Sequence, residues 1–229
     1  EIYNLACPTS PKHFTKNRIA SLLANSYVLK NGLDLALKYQ AKFLHFSSSV
    51  VYGGRLDDSH RVSEEEIGLV DMLSDRAAYD EAKRFAETMV KTYRDVYNLD
   101  TKILRLFRVY GPHMPLDEGH MIPDFISAAL DDRDLIIHGD PSFSSSYCYV
   151  ADCVSAAIRM MDSTQAGPIN IGSDINLNIE DLAKKIIAML ESESKISYDK
   201  AMLFMTPLAL PNITKARELL GWMPLVTLE

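Results

Sequence analysis

Tyr79 and Lys83 stand four residues apart in Tyr-Asp-Glu-Ala-Lys, a spacing that on a helix puts both side chains on one face, a turn apart. An ammonium beside a phenol favours the phenolate, so a tyrosine whose ordinary pKa is about 10 can serve as a base near neutrality. Lys83 also carries donors suited to the hydroxyls of a ribose. Ahead of the pair runs Ser47-Ser48-Ser49-Val50-Val51-Tyr52-Gly53. A serine there can hold a substrate hydroxyl and share its proton with the tyrosine. On spacing alone the ordinary alternative is a packing tyrosine beside a solvated lysine, and a serine turn that satisfies its own backbone.

Context separates these readings. Residues 42–47 (KFLHFS) form a short strand that ends in the hydroxyls, and 53–75 is a polar, acidic excursion. From Tyr79 to Tyr97 the residues Ala82, Phe85, Ala86, Met89, Val90, Tyr93 and Val96 recur at three and four, which predicts one helix. Thr101 to Phe107 is a strand stopped by Tyr110-Gly111-Pro112. Before all of these, EIYNLAC predicts a buried strand already under way, and Arg18 to Tyr39 a helix. Strand, helix, strand, helix, strand is the pattern of an α/β fold, because parallel neighbours need long crossovers. Open α/β sheets bind ligands at the carboxyl edge of their strands, where the serines stand. After Gly111 the pattern loosens into a smaller mixed lobe. Helices are predicted over 122–130, 150–161, 179–190 and 214–220, and strands over 135–138 and 168–171.

The 229 residues, 47% of them hydrophobic, suffice for one large domain with or without a small appendage. A net charge of −7 argues against a nucleic-acid partner, since phosphate backbones are held by clustered Lys and Arg. Cys7, Cys148 and Cys153 have neither metal-ligand spacing nor a paired framework, so no metal is expected, and they read as reduced packing cysteines of a cytoplasmic protein. No apolar run is long enough to span a membrane, and the first residues lack the pattern of a signal peptide.

The chain resembles the extended short-chain dehydrogenase/reductases of the NAD-dependent epimerase/dehydratase family, and among them most resembles the decarboxylases that act on UDP-glucuronate. The resemblance rests on Ile2–Pro11, Ser48–Gly53, Tyr79–Arg84, Arg105-Leu106-Phe107 with Tyr110-Gly111-Pro112, Tyr149–Asp152, Asn170-Ile171-Gly172 and Leu219–Pro224, in family order. It implies a Rossmann-like doubly wound parallel sheet over residues 1–111, and a smaller mixed α/β lobe over 112–229 that binds the sugar nucleotide and returns some segments to the first domain. It also implies roles: Tyr79 as base, Lys83 as its pKa-lowering partner and ribose ligand, and Ser48 as the hydroxyl holding the sugar. Ala6, Ser47 and Phe107 would join Tyr79 and Lys83 against NAD. Ser49, Val50, Asn25, Arg108, His113 and Ser145 would join Ser48 around the substrate. The common chemistry oxidises the sugar at C4, and the resulting ketone opens decarboxylation, dehydration or hydride return. Family members commonly pair through the Tyr-Lys helix and its predecessor, so Phe85, Met89, Tyr93, Leu22 and Leu29 are expected at a homodimer contact.

Three departures bear on the reaction. The glycine-rich turn and the acidic residue that would select NAD over NADP do not occur in the sequence, which reads as beginning within a domain. Val50 is apolar where decarboxylases and dehydratases of the family have a carboxylate. Ser145 and His113 replace arginines, whereas Arg108 stands where an asparagine is usual. Losing a bidentate phosphate donor weakens binding unless another cation takes its place. The expectations therefore stay open between a UDP-glucuronate decarboxylase, a 4-epimerase or 4-ketoreductase, and a catalytically silent nucleotide-sugar binder.

Overall fold

The computed structural model describes residues 1–55, 57, 59–116, 118–200 and 208–228. Strand β1 (Ile2–Asn4) is followed by α1 (Arg18–Leu23), a π turn (Ala24–Val28) and α2 (Leu29–Tyr39), which run on as one helical stretch. Then come β2 (Phe43–Ser48), a 3-10 turn (Ser49–Tyr52), the two-residue β3 (Arg61–Val62) and the long α3 (Ala77–Tyr97). Next are β4 (Thr101–Leu106), β5 (Val109–Tyr110), α4 (Met121–Leu130), β6 (Leu135–His138), β7 (Ser144–Ser145) and β8 (Cys148–Tyr149). The chain continues through α5 (Val150–Asp162), β9 (Ile169–Ile171), β10 (Leu177–Asn178), α6 (Ile179–Met189), β11 (Ile196–Asp199), β12 (Leu210–Pro211) and α7 (Thr214–Leu220).

The main sheet has the order β1-β2-β4-β9, every pair parallel, with Ile2 opposite Phe43 and Ser48 opposite Leu106. Alternation along β2 sends Phe43 into a core with Leu29, Leu33, Ala86 and Val90, and Leu44 into the opposite core with Ala156, Met160 and Trp222. Helices α2 and α3 thus cover one face and α5 and α7 the other, the layering of an open α/β sheet. A separate core of Ile122, Phe125, Leu135, Ile137, Leu182 and Ala183 holds α4, β6 and α6 together. There β6 pairs parallel with β11 and β7 antiparallel with β10, so this lobe is mixed. Trp222 is buried and its Nε1–H donates to the Asp152 carbonyl at 2.9 Å, the core role its type favours.

Two expectations need correction. The opening strand is short and partly exposed rather than buried: β1 has a paired neighbour on one side among the described residues, and Tyr3 and Leu5 lie at the surface. Leu29 is wholly inside the chain's own core, because α2 turns it toward Phe43 and Val90, so it is not available to a second copy.

Candidate active site

The carboxyl end of β2, flanked by β1 and β4, separates the three serines by direction. Ser47 is buried and donates to Glu87 Oε1 on α3 at 2.6 Å. Ser48 keeps part of its surface and begins the 3-10 turn, its Oγ accepting from the Val50 N–H at 3.4 Å. Ser49 and Val50 are buried within that turn. The turn ends at Gly53, whose φ of +76° and a Cβ position 1.9 Å from the Leu69 carbonyl oxygen leave room for glycine alone.

Helix α3 lies across this edge and delivers Tyr79 and Lys83 from its first two turns. Tyr79 is half-buried, its ring packed edge-on against that of Phe14 with centroids 5.7 Å apart. Burial raises the Tyr79 pKa well above that of a free phenol, and the nearness of Cys7 adds to this; Ser48 and the charge of Arg76 pull it down. Arg76 is thus a cation that acts on the hydroxyl. Lys83 is buried, and its ammonium donates to the Phe46 carbonyl at 2.8 Å. Burial lowers its pKa from the ordinary range, with Cys7 and Glu87 opposing. Cys7 is therefore a neighbour of both groups, and it is half-buried rather than a core cysteine like Cys148 and Cys153. Asn25, in the π turn, is buried and donates through Nδ2 to Cys7 Sγ at 3.2 Å and to the Ser21 carbonyl at 2.9 Å. Its Oδ1 is enclosed with no hydrogen-bond partner among the described residues.

A polar network fixes these elements to one another. Arg105 on β4 makes a two-pronged contact with Glu87, at 2.9 and 2.7 Å, and donates to the Tyr52 hydroxyl at 2.7 Å. Tyr52, whose pKa burial pushes to about 12, donates to Asn170 Oδ1 at 2.7 Å. Asn170 in turn takes its place on β9 beside β4. Helix α3, the strand edge carrying Ser48 and the returning strand β9 are thereby tied through charge-assisted bonds.

The other expected site residues are spread out. Ala6 is exposed just before Cys7. Phe107 is buried among Val51, Tyr52 and Val62. Arg108 lies over the Phe143 ring, and Ser145 is buried in β7. His113 is exposed, with a left-handed φ of +67°. Reasoning from sequence missed Cys7, Phe14 and Arg76 as neighbours of Tyr79. Only Cys7 carried a signal, its place directly after Ala6. A cavity of about 190 Å³ lies elsewhere, between α4 and β6, lined by Met121, Asp124, Phe125, Ile136 and His138. Its lining holds no phenol–amine pair.

Residues 1–172 match the model of the NAD dependent epimerase/dehydratase family. The chain is 36% identical to UDP-glucuronic acid decarboxylase 4 of Arabidopsis thaliana over all of its own length and 51% of that protein's. It is 34% identical to UDP-glucuronic acid decarboxylase 1 of Xenopus tropicalis, again over its full length and 54% of the relative. It therefore spans about half the length of these curated relatives. Among solved structures, UDP-glucose 4-epimerase of Thermotoga maritima, with UDP-glucose, superposes with a TM-score of 0.90 at 25% identity, over 99% of this chain and 72% of the other. UDP-glucuronic acid 4-epimerase of Bacillus cereus, in complex with UDP-glucuronic acid and NAD, gives 0.85 at 25% identity, over 97% and 70%. With a parallel sheet wound on both faces, a Tyr-Lys helix across its serine-bearing edge and a family match over three quarters of its residues, the chain belongs to the NAD-dependent epimerase/dehydratase family.

Proposed function

We propose that this chain carries the proton-handling half of an NAD-dependent enzyme that oxidises the sugar of a nucleotide sugar at C4. The observation that carries the reading is the meeting of Tyr79, Ser48 and Lys83 at the carboxyl end of β2. The residues present fit the ribose–nicotinamide end of NAD. Lys83 and Tyr79 supply donors at the sheet edge, the enclosed Asn25 Oδ1 offers an acceptor, and Leu5 and Ala6 beside them are open to solvent. NAD bound there supplies the acceptor for the C4 hydride. Ser48 Oγ holds the C4 hydroxyl, and Tyr79 Oη takes its proton. The raised Tyr79 pKa disfavours the phenolate in the arrangement described, so the base form needs a cation brought nearer; the Lys83 ammonium has one N–H on the Phe46 carbonyl and two more for the phenol or the ribose. Residues 1–111 would carry the cofactor side and 112–229 chiefly the nucleotide-sugar side. The working unit is a homodimer, and the free cysteines suit a reducing cytoplasm.

The reaction read first is decarboxylation of UDP-glucuronate, supported by the identity with curated decarboxylases. A second reading, 4-epimerisation or 4-keto reduction, is favoured by Val50. Its apolar side chain is buried in the turn after Ser48, where it offers no carboxylate to later steps. Incubating the full-length protein with NAD and UDP-glucuronate separates them. Carbon dioxide with UDP-xylose supports the first, and the C4 epimer supports the second. Neither product from a folded, NAD-loaded protein contradicts the first reading and leaves a 4-epimerase or 4-ketoreductase of another nucleotide sugar, or the silent binder.

A further inference from the structure

Cys148 on β8 and Cys153 on α5 stand five residues apart, a spacing that does not mark them as partners. The fold makes them so. Tyr149 caps the helix with extended dihedrals, φ −70° and ψ 142°, and α5 begins at Val150. The residue before a helix cap and the fourth residue of the helix then face each other, the two places where an apolar pair staples an entering chain to the first turn. Here both places hold cysteine. The sulfurs lie 3.5 Å apart, with the Cys153 S–H donating to Cys148 Sγ. Cys148 is 1% exposed and Cys153 5%, within the core that contains Ala156, Met160 and Ile171.

The backbone is fixed on both sides of the pair. The Cys148 N–H donates to the Arg108 carbonyl at 2.9 Å, and β8 pairs with Val109 and Tyr110 of β5. Asp152, next to Cys153, accepts the Trp222 Nε1–H on its carbonyl and the Leu225 and Val226 N–H groups on its carboxylate. A disulfide holds its sulfurs about 2.05 Å apart, so these two need to close by about 1.5 Å, a distance that side-chain rotation covers. Burial also selects the reagent. The Cys153 thiol holds its proton more tightly than a free one, first through the bond to Cys148 and then through burial. A bulky or charged oxidant has no route into this core, whereas a small uncharged one pays little to enter.

We infer that Cys148 and Cys153 are a dithiol that hydrogen peroxide closes to a disulfide, tying β8 covalently to the first turn of α5. One sulfur attacks a peroxide oxygen, the O–O bond breaks, and a sulfenic acid forms while the thiol proton leaves with the other oxygen as water. The second sulfur attacks the sulfenic sulfur, the S–O bond breaks and the S–S bond forms, and the departing oxygen takes the second thiol proton as a second water. Two thiols are oxidised and one peroxide is reduced. The bond falls where the two lobes join: Val109 and Cys148 pack in the sheet's core, Tyr110 and Tyr147 in the core of the second lobe. There the Tyr110 and Tyr149 rings meet edge-on at 5.4 Å, and a Cβ on Gly111 would come within 2.4 Å of Val150 Cγ1. The site is independent of the function proposed above, since it uses neither Tyr79 nor Lys83.

The test exposes the folded, full-length protein to hydrogen peroxide, alkylates the remaining thiols and maps the peptides by mass spectrometry. Cys148 and Cys153 should escape alkylation together, in one peptide lighter by the two thiol hydrogens, and a reductant should restore both. Cys7→Ser should close in the same way, and Cys148→Ser and Cys153→Ser should form no bond within the chain. Where a serine variant fails to unfold cooperatively, the alanine variant at that position replaces it. Glutathione disulfide, bulky and charged, should leave the pair open to alkylation once the chain is unfolded for labelling. Both thiols still alkylated under peroxide that oxidises Cys7 overturn the inference. So does sulfinic acid at either position without an S–S bond, a bond from either to Cys7, or closure that begins only at urea concentrations that unfold the chain.

Discussion

A phenol enclosed beside Cys7 and Ser48 holds its proton more tightly than one in water, and the lysine four residues on is occupied with a backbone carbonyl. The Tyr-Lys spacing was legible in the sequence, and so was the serine strand end. What spacing did not reveal is the third dimension: Cys7, Phe14 and Arg76 reach Tyr79 from loops and a helix start, where no period betrays a neighbour. The same holds for His45, a buried residue on β2 whose Nδ1 lies 3.1 Å from Asn4 Nδ2. Burial first, and then the Lys83 charge, hold its imidazole well below the usual histidine range. The folded protein therefore keeps His45 neutral where the unfolded chain, with a pKa of about 6.5, takes a proton. Stability is fully present above that value and falls as pH drops below it, toward the depressed folded value, by up to about 1.4 kcal/mol per pH unit. Urea unfolding of the parent and His45→Gln from neutral to mildly acidic pH should show a shallower loss in the variant. Equal slopes contradict the assignment.

At the scale of elements, the long periodic helices were readable because each buries one stripe; α3 buries Ala82, Ala86 and Val90 as the spacing demanded. The π turn at Ala24–Val28 was not readable, since one widened turn barely shifts an apolar pattern, yet it is the turn that carries Asn25. The two-residue strands β3, β5, β7, β8, β10 and β12 are too short to show alternation. Strand β11 was missed in a polar stretch because its pairing with β6 is long-range. The helical faces also argue for a partner: Ile19, Leu22 and Leu23 on α1 and Phe85 on α3 are exposed, and α1 lies against α3. Contiguous apolar patches of this kind pair isologously in dimers, which is the expectation that a mass in solution tests. Light scattering at micromolar concentration should give a dimer mass, and Leu22→Asp with Phe85→Asp should give a monomer. A monomeric parent contradicts the homodimer.

For the whole molecule, the α/β order and the mixed second lobe followed from where periodicity changes after Gly111. The return of β9 to the main sheet beside β4 was not legible: the resemblance implied only that some segments of the second lobe return, and no local pattern singled out residues 169–171. Within this architecture β2 and α3 assemble the hydroxyl–amine edge, the Arg105–Glu87 pair locks them together, and Phe143 carries Arg108 beyond β4. In the function proposed above, this framework serves the transfer of one proton at Tyr79 Oη. The most direct test follows the reduced-nicotinamide absorbance through the first turnover when NAD-loaded protein meets UDP-glucuronate, in the parent and in Tyr79→Phe, which keeps the ring against Phe14. The rate should fall by about 10²–10⁴ in the variant, with UDP affinity unchanged. An equal first-turnover rate in the two proteins would contradict the role of Tyr79.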